Sequence, residues 1–361
     1  LGDLASFSKG YGYSKSDLME SGTPIILYGR LYTNYETVIS DVDTYVNEKK
    51  GSVYSRGGEI IVPASGETAE DISVASVVEK QGVLLGGDLN IVNPTKILNP
   101  VFLAISISNG NPHKEMTKMA QGKSVVHLHN ADLEKINLNF PSCDEQVLIS
   151  TYFQNIDNLI TLHQRKLEKL KILKKAMLEK MFPKDGADVP EIRFKGFTEA
   201  WEQHKLRDFV DINTGKLDAN AMKEDGKYDF YTSGVQKYKI DIFAFEGPAI
   251  TIAGNGATVG YMHFVDGKFN AYQRTYVLTG FQADRQFLFF EIGNKLPKKI
   301  SQEARTGNIP YIVMDMLTEL QIMIPKKLEQ EKIGQYVQHL DNLITLHQRK
   351  RIFSFIWRNL C

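Results

Sequence analysis

The side chains that could do chemistry in this 361-residue chain are mostly cations and amides set among tyrosines and glycines. Arginine or lysine can bind guanine through two hydrogen bonds, and asparagine or glutamine can bind adenine in the same way. Serine, threonine and tyrosine on loops can hold phosphates. Such stretches therefore predict contacts with DNA, although the same composition also occurs on ordinary surfaces. Five stretches have this composition: SKGYGYSK (8–15), YGRLYTNY (28–35), YTSGVQKYK (231–239), AYQRTY (271–276) and SQEARTGN (301–308).

Motifs that would indicate catalysis or a cofactor are incomplete. GNGATVG (254–260) resembles a dinucleotide-binding loop, but its third glycine is one residue late and no helix follows, which favours a turn between strands. GKS (122–124) resembles a phosphate-binding loop, but Thr117 stands where glycine is needed. His127 and His129 have no third metal ligand at a suitable spacing, so solvated or hydrogen-bonded histidines are expected. We therefore predict a non-enzymatic chain without a metal or a bound cofactor.

Composition limits the class of protein. The formal net charge is zero, so any cationic surface must be local. Cys143 and Cys361 are the two cysteines, and their separation excludes a disulfide framework or a cysteine zinc site and fits a reducing cytoplasm. No apolar run approaches membrane-spanning length and no signal peptide is visible, which predicts a cytoplasmic protein. The chain begins at Leu1 without methionine, so we expect a missing upstream piece.

An internal repeat indicates which elements position these side chains. Residues 141–166 and 325–350 align without gaps at an offset of 184 and match at 16 of 26 positions, the last ten being identical. A repeat of this length is too long for a solenoid and indicates two equivalent modules, each a domain followed by a helix.

Each repeat carries a helical seam, in which apolar residues recur at alternating steps of four and three. This spacing is typical of a coiled coil. His163 and His347 occupy equivalent seam positions, where a structural role in setting helix register is favoured over acid–base catalysis. The seam of the second helix fails after Lys350, so that helix is expected to be truncated or altered at its end. The predicted seam residues are Phe153, Ile156, Ile160, His163, Leu167, Leu170, Val337, Leu340, Ile344 and His347.

The first helix also carries a local charge of +6 between Gln164 and Lys184. A solvated helix face and a stripe that contacts DNA or an acidic partner both remain open. The segments before each helix contain short β-branched and aromatic runs broken by glycine, asparagine and proline, which predicts mixed α/β globules. The predicted parts are a first domain at 1–143, a first spacer helix at 144–182, a linker at 183–198, a second domain at 199–325 and a second spacer helix at 326–361.

The central segment identifies a family resemblance. YFQNIDNLITLHQRKLEKLKILKKAMLEKMFPK (152–184) followed by PEIRFKGFTEAWEQHKLRDFVDINTGK (190–216) resembles the central region of specificity subunits of type I restriction–modification systems. GNGATVGYMHFVDGKFNAYQRTYVL (254–278) and ARTGNIPYIVMDML (304–317) resemble segments of their target-recognition domains. The first domain is the more divergent. EAWEQHKL (199–206) normally precedes a recognition domain, but the first domain starts abruptly at Leu1, which again suggests a shortened start.

The resemblance implies an α+β fold with two similar target-recognition domains joined by two long antiparallel coiled-coil helices. Each domain would recognise one half of a bipartite site in double-stranded DNA, and the helices would fix the spacing of the half-sites. It also implies two methyltransferase subunits docked on the helices, and restriction subunits that translocate DNA in the full bacterial complex. S-adenosylmethionine, ATP and Mg²⁺ would be held by those partners. The alternative is a coiled-coil scaffold that binds protein without recognising DNA.

Twelve residues are the predicted DNA contacts. In the first domain they are Lys9, Tyr11, Arg30, Tyr32 and Asn34, and in the second they are Lys216, Ser233, Lys237, Asn255, Gln273, Arg274 and Arg305.

Overall fold

The computed structural model describes residues 1–122, 124–303 and 310–360, with the backbone alone at 351 and 354–360. The chain is an α+β protein in which two similar mixed domains are each followed by a long helix. It divides into two compact units, Leu1–Leu162 with Arg351–Cys361, and His163–Lys350.

The first domain is built on antiparallel and parallel strands with short helices over them. Its strands are β1 (Ala5–Lys9), β2 (Leu18–Met19), β3 (Thr23–Ile26), β4 (Val38–Ile39), β5 (Tyr45–Val46), β6 (Glu59–Pro63), β7 (Ser65–Gly66), β8 (Ser76–Val78), β9 (Leu84–Leu85), β10 (Leu89–Pro94) and β11 (Val126–His127). Its helices are α1 (Arg30–Thr33), α2 (Ala69–Ile72), α3 (Pro100–Ser108), α4 (Gly110–Met119) and α5 (Asn130–Leu133). The sheets have the strand orders β1-β10-β6-β8-β4, β2-β5-β3-β9 and β11-β7.

The core of this domain is formed around β6, in which every residue is buried. The β-branched run Ile60-Ile61-Val62 suits a strand covered on both faces. One face packs against α3 and α4, and the other against residues of β3, β9 and β10.

The second domain repeats this design. Its strands are β12 (Glu202–Lys205), β13 (Asp211–Thr214), β14 (Tyr228–Tyr231), β15 (Lys237–Ile240), β16 (Phe245–Glu246), β17 (Ala249–Ala253), β18 (Met262–Val265), β19 (Lys268–Ala271), β20 (Thr275–Thr279) and β21 (Gln321–Ile324). Its helices are α7 (Arg285–Glu303) and α8 (Met314–Thr318). The sheets have the orders β13-β20-β17-β18, β15-β14-β19-β16 and β12-β21. Strand β17 is buried throughout, as β6 is in the first domain.

Two equivalent glycines allow β1 in the first domain and β13 in the second to leave their sheets. Gly10 follows β1, and a methyl group there would collide with the carbonyl oxygen of Gly86. Gly215 follows β13, and a methyl group there would collide with the carbonyl oxygen of Ala271. Both positions therefore need glycine because two backbone segments approach closely, rather than because of a left-handed conformation.

The long helices are α6 (Cys143–Lys180) and α9 (Lys327–Leu360). Helix α6 has 38 residues and is roughly 57 Å long. Helix α9 stays helical through the segment where the seam pattern fails. All ten predicted seam side chains are buried or half-buried.

Two contacts between the long helices inside the second unit show that the helices run in opposite directions. Nδ1 of His163 lies 3.0 Å from Nδ1 of His347, and Nζ of Lys174 lies 2.6 Å from Oδ1 of Asp341. Residue numbers rise along α6 while they fall along α9, so this stretch is antiparallel. A knobs-into-holes coiled coil along the full seam stays a prediction.

Equivalent glutamines anchor the first turn of each long helix to its domain. Oε1 of Gln146 accepts the backbone N–H of Asn99 at 2.8 Å, and Nε2 of Gln146 donates to the carbonyl of Pro141. Gln330, 184 residues later, bonds in the same way to the N–H of Asp284 and the carbonyl of Pro325. The repeat therefore preserves a buried polar joint that ties each helix to its own domain.

The segment predicted as a linker is packed. The guanidinium of Arg193 makes two 2.7 Å hydrogen bonds with the carboxylate of Glu329, which is 1% exposed. The indole of Trp201 packs against the rings of Phe182 and Phe287, with ring centroids 6.1 and 5.6 Å away. Residues 183–201 therefore form a strap over the second domain and the first turns of α9.

Candidate nucleic-acid interface

Four backbone hydrogen bonds gather the loops at one edge of the second domain. The N–H of Gly215 donates to Thr275, that of Tyr272 to Tyr231, that of Gly254 to Arg274 and that of Ile312 to Gly254, at 2.7 to 3.1 Å. These bonds bring together residues 215–217, 232–236, 253–261, 272–274 and 310–312, which we call the second loop edge. Loops 253–261 and 272–274 adjoin the buried strands β17 and β20, which hold this part of the edge in place.

The exposed polar side chains of the second loop edge include those of Lys216, Gln236, Gln273 and Arg274. Among the residues that the structure describes, no side chain bonds to the Arg274 guanidinium, and its backbone is held by Gly254. An unpaired arginine on a fixed backbone can form two hydrogen bonds with a guanine edge.

Lys237 lies beside this edge but is partly neutralised. Its Nζ is 3.3 Å from the Asp229 carboxylate, and Nζ of Lys239 is 2.8 Å from the same group. Burial of Asp229 opposes its ionisation, but hydrogen bonds and positive charge from the two lysines leave its pKa below the usual value. The pair of lysines retains one net positive charge, which suits contact with a phosphate.

Ser233 and Asn255 belong to neighbouring loops of the second loop edge. The carbonyl of Ser233 accepts a 2.8 Å hydrogen bond from Thr258 Oγ1, while Asn255 forms a backbone bridge with Tyr311. Ser233 Oγ and Asn255 Oδ1 are buried without a partner within the described part of the chain. Arg305 lies outside the described residues.

An aromatic cluster of tilted and edge-on rings adjoins the second loop edge. The ring of His263 lies 4.9 Å from those of both Tyr231 and Tyr261, and its Nε2 is 3.1 Å from the carbonyl of Gly234. Burial keeps the pKa of His263 below its usual value. Tyr261 and the nearby Tyr311 are exposed. Sequence reasoning did not select Tyr261, His263 or Tyr311, although Tyr261 and His263 alternate in the sequence.

The first domain has the same backbone frame. The N–H of Gly10 donates to Leu89, that of Gly86 to Ile26, that of Ala64 to Asp88 and that of Leu128 to Ala64, at 2.8 to 3.0 Å. These four bonds reproduce the second loop edge bond by bond. We call residues 9–11, 27–30, 64–67, 86–88 and 126–128 the first loop edge.

Only part of the predicted set lies at the first loop edge in an exposed position. Lys9 ends β1, and Tyr11 forms a backbone bridge with Gly86; both side chains are exposed. Tyr32 is half-buried in α1 and Asn34 follows it, exposed. Burial, with added effects of Tyr28 and nearby carboxylates, raises the pKa of Tyr32.

Arg30 starts α1 and is engaged by acids. Its guanidinium bonds to Glu36 at 2.9 Å and to Asp43 at 2.7 Å, and its side chain is 14% exposed. Contact with a base would require one of these carboxylates to release it. Base contact by Arg30 stays a prediction. Unlike Arg30, Arg274 has no carboxylate partner among the described residues.

The other singled-out motifs have simple structural roles. GNGATVG (254–260) connects β17 to β18, which confirms the predicted turn between strands. The rings of His127 and His129 are stacked with centroids 6.3 Å apart. Across 1–122, 124–303 and 310–360, no three His, Cys, Asp or Glu side chains are grouped as metal ligands. Lys123 of GKS lies outside the described residues.

No helix in the described ranges combines the length and the apolar character needed to cross a membrane.

Comparison with known proteins points to one family. A model described as the type I restriction modification DNA specificity domain matches residues 1–172 and 198–352. Over 144 residues the chain is 36% identical to the EcoDI specificity subunit of Escherichia coli, a match that covers 40% of this chain and 31% of that protein. Over 310 residues it is 25% identical to the MjaVIII specificity subunit of Methanocaldococcus jannaschii, which covers 75% of this chain and 70% of the relative.

Solved structures show the same fold. The S subunit of a type I restriction–modification system from M. genitalium superposes with a TM-score of 0.70 at 16% identity, over 99% of this chain and 92% of that one. A chain from work on complex assembly and conformational transition of the type I system gives a TM-score of 0.53 at 14% identity, over 99% and 93%.

Proposed function

Since the chain belongs to the family of type I restriction–modification DNA specificity domains, we propose that it is the DNA-recognising subunit of such a system. Each domain recognises one half of a bipartite site in double-stranded DNA. The observation that carries this proposal is the second loop edge, where Arg274, Gln273 and Lys216 are exposed together on a backbone fixed by hydrogen bonds. Donors and acceptors held in this way can match the hydrogen-bonding pattern of a major groove.

The chain recognises DNA without modifying or cleaving it. The two loop edges carry cations, amides, hydroxyls and aromatic rings, which can hold and distinguish bases. We propose that methylation is performed by partner subunits that hold S-adenosylmethionine, and restriction by translocase subunits that hold ATP and Mg²⁺. The cytoplasm of a bacterium is the compartment where these partners would meet the chain.

Exposed leucines support the docking of two methyltransferase subunits. Leu162 on α6 is 46% exposed, and Leu346, its equivalent 184 residues later on α9, is 45% exposed. One turn earlier, Leu159 and Leu343 add to the same faces, which we call the leucine faces. An apolar patch repeated on two helices suits two copies of one partner.

The helices also suit a spacer. Helix α6 is a single uninterrupted segment of 38 residues, and its contacts with α9 through His163 and Lys174 fix the antiparallel register. We propose that this rigid pair sets the number of unread base pairs between the half-sites.

Competition binding tests the recognition of DNA. The affinity of the chain, together with its methylation partner, is measured for cognate and scrambled duplexes at several salt concentrations. Arg274→Ala should weaken cognate binding by about 1–3 kcal/mol and relax preference at one base pair. Arg207→Ala is the control, because Arg207 is exposed and pairs with Glu319 away from the edge.

Two results would contradict the recognition proposal. One is equal preference for cognate and scrambled duplexes at every salt concentration. The other is an Arg274→Ala variant with unchanged preference at every base pair. A chain that binds its protein partner but shows no salt-dependent DNA affinity would support the alternative scaffold function.

Stoichiometry tests the docking proposal. Leu162→Glu and Leu346→Glu should each reduce the number of bound methyltransferase subunits from two to one, measured by light scattering of the purified complex. Thr161→Glu is the matched control, since Thr161 is exposed on a different side of α6. Unchanged stoichiometry in both leucine variants would show that the leucine faces are not the docking sites.

A further inference from the structure

The two loop edges share a backbone but differ in their side chains. The N–H of Ala64 donates to the carbonyl of Asp88, as the N–H of Gly254 donates to that of Arg274. Asp88 therefore occupies the position of Arg274. The backbone bridge of Ser65 with His127 likewise matches that of Asn255 with Tyr311.

Asp88 and His127 are placed to contact a ligand. Both side chains are exposed, as those of Arg274 and Tyr311 are. Within 1–122, 124–303 and 310–360, the Asp88 carboxylate accepts no side-chain or backbone hydrogen bond and makes no ion pair, while its own carbonyl is held by Ala64. The backbone of Asp88 is thus held in position, and its carboxylate has its hydrogen-bonding capacity unused.

We propose that Asp88, with His127 of the same loop edge, determines the base preference of the first domain, an inference that rests on the proposed recognition of DNA. A carboxylate only accepts hydrogen bonds from a base, so it selects an exocyclic amino group, that of cytosine before that of adenine. Arg274 at the equivalent position only donates, and selects guanine. The two half-sites are therefore recognised with opposite hydrogen-bonding polarity at equivalent positions.

The sign of the electrostatics gives this proposal a distinctive consequence. A carboxylate facing DNA is repelled by phosphates and is compensated only when a base donates to it. Removing the charge should therefore raise affinity for non-specific DNA while it lowers discrimination. A purely structural role for Asp88 would weaken binding to both classes of DNA.

Selection from a library of random duplexes tests the assignment. The full chain with its methylation partner is compared with Asp88→Asn, Asp88→Ala and His127→Phe. The control is Asp3→Asn, which makes the same change in charge. Asp3 is exposed and precedes β1, at the end of that strand away from the first loop edge. Arg274→Gln identifies which half-site belongs to the second domain.

For Asp88→Asn we expect a loss of preference of about tenfold to a hundredfold at one base pair of the first half-site. The second half-site should be unchanged, and non-specific binding should be several-fold tighter. Preference that is unchanged in Asp88→Asn and Asp88→Ala, or binding weakened to all sequences, would overturn the assignment. If the unaltered chain selects no sequence, the proposed function itself fails. If it selects a bipartite site that the Asp88 variants leave intact, this inference fails alone.

Discussion

Glu291 lies in α7 with its carboxyl group buried in the second domain. Its Oε1 accepts the backbone N–H of Met323 at 2.8 Å, while Oε2 has no partner in the described part of the chain. Burial raises the pKa of Glu291 to about 7, against smaller opposing effects of the Met323 hydrogen bond and of Lys295. The folded protein therefore holds a proton on this group at a pH where the unfolded chain has lost it.

The cost of ionising Glu291 follows from this difference. The ordinary glutamate pKa is 4.5 and the folded value is about 7. Between these values the folded state binds more protons, so stability falls as pH rises and then levels off above the folded pKa. A shift of this size corresponds to about 3 kcal/mol at pH 8.

Glu291→Gln removes the ionisation and keeps an oxygen for Met323. Relative to the unaltered protein, the variant should gain about 3 kcal/mol between pH 5 and pH 8. Urea unfolding can be followed by the fluorescence of Trp201, which is buried beside Phe287 one turn from Glu291. Both proteins carry Trp357→Phe, so that Trp201 is the single tryptophan.

A pH-independent difference between the two proteins would refute this reasoning. So would a Glu291→Gln variant that loses stability relative to the unaltered protein as pH rises. Glu303→Gln is the matched control, because Glu303 lies at the exposed end of the same helix, and it should show no such trend.

Three other perturbations test a buried ion pair, the histidine pair between the long helices and the close backbone approach at Gly10. Arg193→Ala should lower the free energy of unfolding of the second domain by about 3 kcal/mol, because it leaves Glu329 buried and unpaired. Adding Glu329→Gln should restore part of this free energy. Equal losses in the single and double variants would contradict the pairing. The pKa of His163 is lowered by burial and by charge on His347 and nearby lysines, so helix stability should fall as pH drops below the ordinary histidine value. A His163→Leu, His347→Leu variant should lose this acid sensitivity in circular dichroism, and retained sensitivity would assign it to other groups. Gly10→Ala should lower the melting temperature of the first domain because of the collision with Gly86, whereas an unchanged melting temperature would show that the backbone can move.

Much of the architecture followed from local patterns. Hydrophobic spacing predicted a helix at 144–182, and the structure has it at Cys143–Lys180. The repeat at an offset of 184 predicted two equivalent modules, and the paired bonds of Gln146 and Gln330 show the shared joint. Periodicity is a relation between neighbouring residues and the repeat is a direct match of two segments, so the sequence alone can display both.

The loop edges depended on tertiary structure. Composition selected Arg30 and Arg274 alike, but folding brings Glu36 and Asp43 to Arg30 and leaves Arg274 without a partner among the described residues. Asp88 was not selected, because its equivalence to Arg274 is defined by backbone hydrogen bonds between distant loops.

The sequence by itself thus determined the fold class, the duplication, the long helices and the kind of side chain available to DNA. Tertiary structure alone decided which of those side chains are free to bind and which residues of the two domains correspond. The physical reason is that helical periodicity is set by neighbours three and four residues apart. The availability of a charged group is set by whatever the fold brings within hydrogen-bonding distance, at any separation along the chain.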